Sequence, residues 1–281
     1  MASALGIVKR KVPARAGWCA LSVSLLLLGG TAGVATPAEL FDYGPYARVL
    51  EKYVTPNGQV HYAALKKDPA DLDTFIHELA AVSPENQPRL FPTPEAQIAY
   101  WINAYNAFVV HAVVQAYPVG SVRDLKFGFG LLFFKRAKFV AGGKNYSLDD
   151  IEHGILRKRY QEPRIHFAVN CASASCPPLR LEPFRAETLE AQLEQAARDF
   201  IARPENAAVQ GDALHLSKIF DWYGEDFVRA LERDGATKPS VVDYVLRYLP
   251  RERAARLRHG KPRVNFFAYD WTLNDAAPPS D

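Results

Sequence analysis

The spacing of apolar residues predicts that most of this chain is helical. Apolar positions recur every three or four residues over 41–53, 72–79, 188–201 and 225–231, which is the period of an amphipathic helix. Pro239 predicts another helix over 239–249, because proline suits the first helical turn. Ser147 is a predicted N-cap, with Asp150 three residues on, of a short helix that ends near Arg157.

The most strongly marked helix begins at Thr93 or Pro94 and continues through Val113. It is apolar on nearly every side, which indicates burial inside a larger fold. Asn103 and Asn106 interrupt the apolar pattern, and a buried amide without partners costs on the order of 1–3 kcal/mol. The two residues therefore predict either amides that fix neighbouring backbone or the wall of a polar pocket.

The predicted strands are short and scattered among the helices. Candidates are 59–62, hairpins over 139–146 and 209–216, the run 165–169, and a last strand over 264–269. Such a mixture predicts an α+β fold, helix-rich, with a small, mostly antiparallel sheet. No repeat or long linker breaks the chain, so we expect a single globular domain over 40–274 and a disordered tail over 275–281.

The first 35 residues resemble a secretory signal peptide. A basic segment precedes an apolar core over 18–28, and Gly33 and Ala35 occupy the −3 and −1 positions of a plausible cleavage site. We therefore expect a periplasmic or secreted protein. An uncleaved membrane anchor is the alternative, since the apolar run with its small-residue tail approaches the length that spans a bilayer.

The charge of the chain gives no support for nucleic-acid binding. The whole chain has 34 Lys and Arg against 31 Asp and Glu, and the four basic residues of the signal segment account for the positive excess. Nucleic-acid binding needs a basic surface on the folded domain. The apolar run Phe127–Phe134 is flanked by basic residues and predicts a buried strand or wrapping loop, with contact to a membrane or an apolar ligand as the alternative.

The stretch 165–178 carries the most suggestive chemistry. Cys171 follows an apolar run and lies in a loop of small residues, which lets a substrate approach. A cysteine is nucleophilic only as a thiolate, which needs a nearby histidine, cation or helix N-terminus. On a continuing strand His166 and Cys171 would face opposite sides. Glu152 and His153, on a separate element, are the better candidates, although a turn at Asn170 would bring His166 close.

Three further interpretations of Cys171 stay open. In an oxidising compartment, Cys171 and Cys176 form a disulfide if the loop turns back, and otherwise they are buried inert thiols. A metal site built from His111, His153, His166 and Cys171 is another possibility, but no pair has a recognised ligand spacing. We therefore expect neither a metal nor a cofactor.

Several segments, in this order, resemble the domain of unknown function 547 family: Tyr100–Ala107, Ser147–His153, His166–Cys171, Leu216–Tyr223 and Tyr269–Asn274. The resemblance places the family core at about 100–274. Relatives in plants keep a cysteine where Cys171 stands and carry serine at the place of Cys176, which implies that Cys176 is optional. The layout is also similar to that of papain or transglutaminase enzymes. Those families, however, place the cysteine at the start of the core helix, before the histidine strand, whereas here Asn103 occupies such a helix and the cysteine comes later.

The sequence leaves two functional hypotheses. The first is a thiol-dependent hydrolase or acyltransferase that acts on an amide or ester. Cys171 would be its nucleophile, Glu152-His153 or His166 would supply the base, and Asn103 and Asn106 would give polar support. The second is a non-catalytic domain that binds a small molecule or peptide and carries a Cys171–Cys176 disulfide.

Overall fold

Helices dominate the fold, and the strands form two small sheets. The computed structural model describes residues 41–125, 132–211, 213–255, 257 and 262–276, which lie in one compact unit, Ala38–Asp281. The α-helices are α1 (Gly44–Tyr53), α2 (Tyr62–Lys67), α3 (Ala70–Ala81), α4 (Pro94–Ala116), α5 (Leu132–Arg136), α6 (Leu189–Ala202), α7 (Lys218–Trp222), α8 (Gly224–Arg233), α9 (Val241–Tyr248) and α10 (Arg251–Ala255). A π-helix spans Asp150–Tyr160. The predicted helix-rich α+β class is confirmed.

The sheets are short and mostly antiparallel, as predicted. Strands β1 (Phe139–Ala141) and β2 (Lys144–Tyr146) form an antiparallel hairpin. Strands β3 (Ala207–Gln210), β4 (Ala213–Leu216) and β5 (Arg263–Phe266) form the other sheet in that order. In it, β3 pairs with β4 antiparallel and β4 pairs with β5 parallel.

Helix α4 is the centre of the larger of two hydrophobic clusters. Thr93 caps the helix by accepting the N–H of Ala96 at 3.2 Å, and Trp101 is completely buried. Helices α2 and α3 and the π-helix pack around α4. The predicted burial of this helix on every side is therefore confirmed, because neighbouring elements cover it almost along its full length.

The second hydrophobic cluster lies among α6, α7, α8, α9 and strands β3 and β4. Phe167 belongs to this cluster, whereas Ile165 and Ala168 belong to the cluster around α4. The segment that carries His166 therefore joins the two clusters. Its position places the histidine next to residues from both halves of the fold.

The predicted strand over 165–169 is wrong. Residues Pro163–Phe167 form a 3₁₀-helix, and the side chain of Glu162 caps it by accepting the N–H of Arg164. Proline fixes φ near the value of a first helical residue, and both clusters bury the apolar side chains that follow. An apolar run buried on several sides does not show the helical period, and for this reason it was mistaken for a strand.

Two smaller boundaries also differ from the prediction. In the predicted strand 59–62 only Val60 makes bridges, to Val54 and Asp275, and Tyr62 begins α2. The helix predicted to open at Pro239 begins after Ser240, which forms a capping box with Asp243. In both places the helix begins where the local backbone allows it, and not where the apolar pattern predicts.

Part of the predictions falls outside the described residues. The signal segment 1–35 does so entirely, and so do residues 126–131 of the apolar run and 277–281 of the tail. The described end of the apolar run is helix α5, in which Phe133 is buried. Asp275 and Ala276, assigned to the disordered tail, are instead held by Val60, whose carbonyl accepts the N–H of Ala276 at 2.9 Å. In the described part of the chain no helix has the length and hydropathy needed to cross a bilayer.

Candidate functional site

A cavity of about 270 Å³ opens beside the cysteine loop. Its wall combines aromatic side chains with a small set of polar and ionisable groups. The lining residues are Tyr105, Phe134, Lys135, Asp149, Glu152, His153, His166, Val169, Cys171, Cys176, Pro177, Ile219, Trp222, Tyr223, Tyr269 and Trp271. The cavity therefore brings together four of the six residues predicted to form the site: Cys171, His166, Glu152 and His153.

Three aromatic rings form one side of the cavity. The ring of Tyr269 lies 4.8 Å from that of Trp222 and 4.6 Å from that of Trp271, measured between centroids. Trp222 is 46% exposed, although a side chain of this size is usually mostly buried. This group, which we call the aromatic rim (Trp222, Tyr269 and Trp271), therefore presents apolar surface to whatever enters the cavity.

The cysteine loop turns sharply after Asn170. The side chain of Asn170 accepts the N–H of Ala172 at 2.7 Å and donates to the carbonyl of Pro177 at 2.7 Å. Ala172 has a φ of 64°, a left-handed conformation that costs a non-glycine residue roughly 1–2 kcal/mol. The turn brings Cys171 and Cys176 together as a disulfide with a Cα separation of 6.2 Å. Of the readings left open by the sequence, the structure shows the disulfide, so in this state Cys171 carries no thiolate.

The loop is held in place by the C-terminal segment, which we define as residues 269–276. Ala174 donates its N–H to Thr272 at 2.8 Å, and Asn274 donates its N–H to Ala172 at 3.0 Å. A further backbone bond joins the N–H of Ser175 to Asp270 at 3.2 Å. The loop conformation is therefore fixed by backbone pairing as well as by the sulfur–sulfur bond.

Tyr269 links this segment to the disulfide. Its hydroxyl lies 3.2 Å from Cys176 Sγ and 3.4 Å from Cys171 Sγ, and it accepts a hydrogen bond from the Ser173 hydroxyl at 3.0 Å. Burial raises the pKa of Tyr269 to about 12, so the hydroxyl keeps its proton at neutral pH. Because disulfide sulfurs have no proton to give, Tyr269 is the donor to them. The N–H of Cys171 also donates to Cys176 Sγ, at 2.9 Å.

His166 is paired with an aspartate that the sequence analysis did not identify. Its Nε2 lies 2.8 Å from Asp226 Oδ2, and Arg157 donates two hydrogen bonds to the same carboxylate, at 2.6 and 3.0 Å. Burial lowers the pKa of His166. Burial opposes ionisation of Asp226, but the hydrogen bonds from His166 and Arg157 outweigh it and lower the pKa of that carboxyl.

The protonation state of the pair follows from these shifts. An ionised Asp226 can only accept, so the neutral ring of His166 must carry its proton on Nε2. The Nδ1 atom then has a free lone pair, and it is buried without a hydrogen-bond partner. The ring stacks on Tyr223 with a centroid separation of 3.8 Å. This is the arrangement of an oriented base, in which one nitrogen is held by a carboxylate and the other is unoccupied.

Glu152 is buried and hydrogen-bonded to two tyrosines. Tyr223 donates to Oε1 at 2.6 Å and Tyr105 donates to Oε2 at 3.1 Å, and the residue is only 8% exposed. Its neighbour His153 projects differently, as expected for adjacent helical residues: its Nδ1 faces Arg157 Nη1 at 2.8 Å. Glu152 and His153 therefore both reach the cavity, but they do not act on one another.

The two asparagines of α4 form hydrogen bonds that hold neighbouring backbone segments in place. Asn103 donates to the carbonyl of Phe184 at 2.8 Å and accepts the N–H of the same residue at 3.0 Å. Asn106 donates to the carbonyl of Ala168 at 2.9 Å and accepts the N–H of Asn170 at 2.8 Å. Neither belongs to the described lining of the cavity. Of the alternatives stated for these amides, the structure shows the fixing of neighbouring backbone, and their role as polar support for chemistry stays a prediction.

The structure does not assemble the alternative metal site. His111 lies on α4 near Gln115 and Asp73, at 3.3 and 3.7 Å, and does not belong to the cavity lining. Among the described residues no group of three or more metal-ligating side chains converges. No described histidine makes a hydrogen bond to Cys171 either.

Comparison with known proteins identifies a family for the middle of the chain. Residues 91–201 match the family model described as "Protein of unknown function, DUF547". The matched range contains α4, the π-helix, the cysteine loop and α6, whereas Asp226 and the aromatic rim lie beyond it. Searches of curated proteins and of solved structures gave no match. The resemblance to this family is confirmed over the matched range. The motifs Leu216–Tyr223 and Tyr269–Asn274 lie beyond that range, so the family core predicted to extend to 274 stays a prediction, as does the likeness to papain or transglutaminase enzymes.

Proposed function

We propose that the chain is a ligand-binding domain; the DUF547 family model that matches residues 91–201 assigns no activity. The cavity beside the cysteine loop would hold a small organic molecule or a side chain of a bound peptide. The single observation that carries this proposal is the aromatic rim, which presents an exposed tryptophan at the mouth of a cavity with fixed hydrogen-bonding groups. The disulfide supports it, because a closed disulfide leaves a rigid wall and no free nucleophile.

The composition of the cavity agrees with that of ligand sites in general. Such sites are concave, mostly apolar and aromatic, and contain a few polar groups that set orientation. Here the Tyr223 ring and the aromatic rim give the apolar surface, while Glu152 and Lys135 supply an acceptor and a donor. A volume of about 270 Å³ suits a ligand of the size of one amino-acid side chain with its backbone amide.

The compartment belongs to the same proposal. The N-terminal segment has the composition of a secretory signal, and an extracytoplasmic location is where disulfides persist. The disulfide between Cys171 and Cys176 therefore supports export. Determining the N-terminal residue of the mature protein by mass spectrometry tests this part directly.

Binding can be tested with a probe that combines a ring and amides, such as N-acetyl-phenylalanine amide. Titration should quench or shift the fluorescence of Trp222 and Trp271, which line the cavity. Replacement of the exposed Trp222 by alanine should weaken binding about tenfold or more, since aromatic anchors at binding sites contribute on the order of 1–2 kcal/mol. Leu181→Ala is the matched control, because Leu181 is equally exposed, at 47%, and does not belong to the cavity lining.

The two variants separate specific binding in the cavity from nonspecific adsorption of the probe. Equal weakening by the Trp222 and Leu181 variants would show that the probe adsorbs to apolar surface. If neither the probe nor a wider set of aromatic amides changes the fluorescence or the melting temperature of the wild type, the binding proposal is wrong.

A second candidate function is favoured by one specific observation: buried His166 lines the same cavity as Cys171, and Asp226 holds its Nε2 at 2.8 Å. After reduction of the disulfide, Cys171 would be the nucleophile of a thiol-dependent hydrolase or acyltransferase. His166 Nδ1, which has a free lone pair, would serve as the base, and Asp226 would orient the ring. His153 is the less suitable base, because its Nδ1 is occupied by Arg157.

This candidate predicts activity only in the reduced protein. An activated ester such as p-nitrophenyl acetate should be hydrolysed faster after treatment with dithiothreitol, and Cys171→Ser should abolish the gain. Asp226→Asn should reduce the rate and shift its pH profile, whereas Cys176→Ser should retain it. Hydrolysis that is equal in the oxidised protein, or that survives Cys171→Ser, excludes the thiol mechanism.

A further inference from the structure

Both cysteines of the disulfide form part of the cavity wall. Cys171 and Cys176 are half-buried and line the same space as the aromatic rim. We propose that this disulfide undergoes thiol–disulfide exchange with a small organic thiol that enters the cavity. This activity goes beyond ligand binding and does not depend on what the natural ligand is.

The surroundings of the disulfide favour Cys176 as the sulfur that leaves. Exchange is faster when the departing thiolate is stabilised, because a leaving thiol of lower pKa departs more readily. Cys176 Sγ accepts the N–H of Cys171 at 2.9 Å, and the Tyr269 hydroxyl lies 3.2 Å away. These fixed dipoles point at the position where negative charge develops when the sulfur–sulfur bond breaks.

The loop is built to survive the opening of its disulfide. Asn170 closes the turn through two side-chain hydrogen bonds, and the N–H of Cys176 donates to the carbonyl of Ser173 at 3.0 Å. The C-terminal segment adds three backbone bonds to the same loop. None of these bonds involves the sulfur–sulfur bond, so the reduced cysteines remain side by side and ready to close again.

The exchange is balanced in atoms and electrons. The thiolate of the small thiol attacks Cys171 Sγ and forms a mixed disulfide, while the electron pair of the broken bond leaves on Cys176 Sγ. A second molecule of thiolate then attacks the bound thiol's sulfur and releases Cys171 as a thiolate. The net change reduces the protein disulfide to two thiols and oxidises two small thiols to their disulfide. The reverse sequence closes the protein disulfide again.

The proposal is tested with reduced and oxidised glutathione on the native protein. Samples are quenched in acid, alkylated, and mapped by peptide mass spectrometry, which separates Cys171 and Cys176 from Cys19 in the N-terminal segment. We expect reduction in native buffer with an unchanged near-ultraviolet circular dichroism spectrum, and closure again on transfer to oxidised glutathione. The trapped intermediate should carry glutathione on Cys171.

Substitution of Tyr269 tests the role of the surrounding donors. Tyr269→Phe removes one donor and should slow reduction about threefold, because the departing thiolate loses a hydrogen bond that stabilises it. The matched control is Tyr160→Phe, which removes a hydroxyl bonded to Gln97 at 2.8 Å, away from the cavity. That variant should be reduced at the wild-type rate.

Three outcomes would overturn the proposal. The first is a disulfide that resists millimolar thiol in native buffer and opens only in urea. The second is reduction accompanied by loss of the near-ultraviolet spectrum, since the bond would then be a structural crosslink. The third is glutathione trapped on Cys176, which contradicts its role as the leaving sulfur. Each leaves ligand binding by the oxidised protein untouched, and that binding is measured separately.

Discussion

Replacement of Asn106 by alanine separates a structural from a chemical role for the core helix. The side chain is 3% exposed, and it bonds the carbonyl of Ala168 at 2.9 Å and the N–H of Asn170 at 2.8 Å. Both backbone groups lose their partner in the Asn106→Ala variant. We therefore expect the variant to be destabilised and the geometry of the cysteine loop to loosen.

The magnitude follows from the two orphaned groups. Each buried polar group without a partner costs on the order of 1–3 kcal/mol, and relaxation of the loop recovers part of that sum. We expect a loss of about 3 kcal/mol in the free energy of unfolding. For a chain of this size this corresponds to a fall of roughly 6–12 °C in Tm.

Urea unfolding followed by far-ultraviolet circular dichroism measures the change, with linear extrapolation and a check that the slope is unaltered. The matched control is Asn145→Ala, because Asn145 lies exposed in β2 and its loss should stay within about 0.5 kcal/mol. Asn103→Ala should be destabilised as much as Asn106→Ala. Asn103 makes its hydrogen bonds to Phe184 and not to the cysteine loop. The Asn103→Ala variant should therefore bind the probe almost as well as the wild type.

One result would refute this reasoning. If Asn106→Ala unfolds at the wild-type urea concentration but loses ligand binding or thiol-dependent hydrolysis, the amide serves the chemistry of the site. The hydrogen bonds to Ala168 and Asn170 would then be incidental to stability.

Three further predictions concern pH, backbone conformation and capping. Burial lowers the pKa of His166, so at low pH the unfolded chain binds a proton that the folded chain does not. The free energy of unfolding should therefore fall as the pH drops below about 6.5. In the His166→Gln variant, the urea midpoint should depend less on pH in that range. Gly58→Ala should be more destabilising than Gly143→Ala by at least about 1 kcal/mol. Both glycines have positive φ, but only at Gly58 would the new Cβ meet Pro178, at 2.3 Å. Equal urea midpoints for the two variants would contradict this. Ser240→Ala should cost about 1 kcal/mol by loss of the capping box at α9, and an unchanged thermal midpoint would show that the cap is dispensable.

The helices could be predicted because their signals are local. The long apolar stretch and the Thr93 cap determine α4, and both are visible within one stretch of sequence. The 3₁₀-helix Pro163–Phe167 has only 5 residues, and an apolar run of that length cannot be told from a buried strand by its pattern. Its true signal was Pro163 at the first position.

The site could be predicted only in part. Cys171, His166 and Glu152 were found because a cysteine in a small-residue loop and acidic or histidine neighbours are recognisable residue types. Asp226 was missed because it reaches His166 from 60 positions along the chain, and nothing in its own surroundings marks it. Tyr269 lay in a recognised motif, yet its contact with the sulfurs depends on how the C-terminal segment crosses the loop.

Because the C-terminal segment crosses the cysteine loop, the site can be completed only when the last part of the chain has been synthesised. Tyr62 and Asn274 are hydrogen-bonded partners 212 positions apart, so a ribosome making about 5–20 residues each second needs on the order of ten to forty seconds to deliver the second after the first. In the later part of that interval, once Cys176 has been made, the emerging polypeptide has Cys171 and Cys176 but neither Tyr269 nor Trp271. Their sulfurs are then open to oxidases and chaperones in the surrounding medium. A nascent chain that stalls before residue 269 would display an unfinished pocket, and quality-control proteases would meet it in that form.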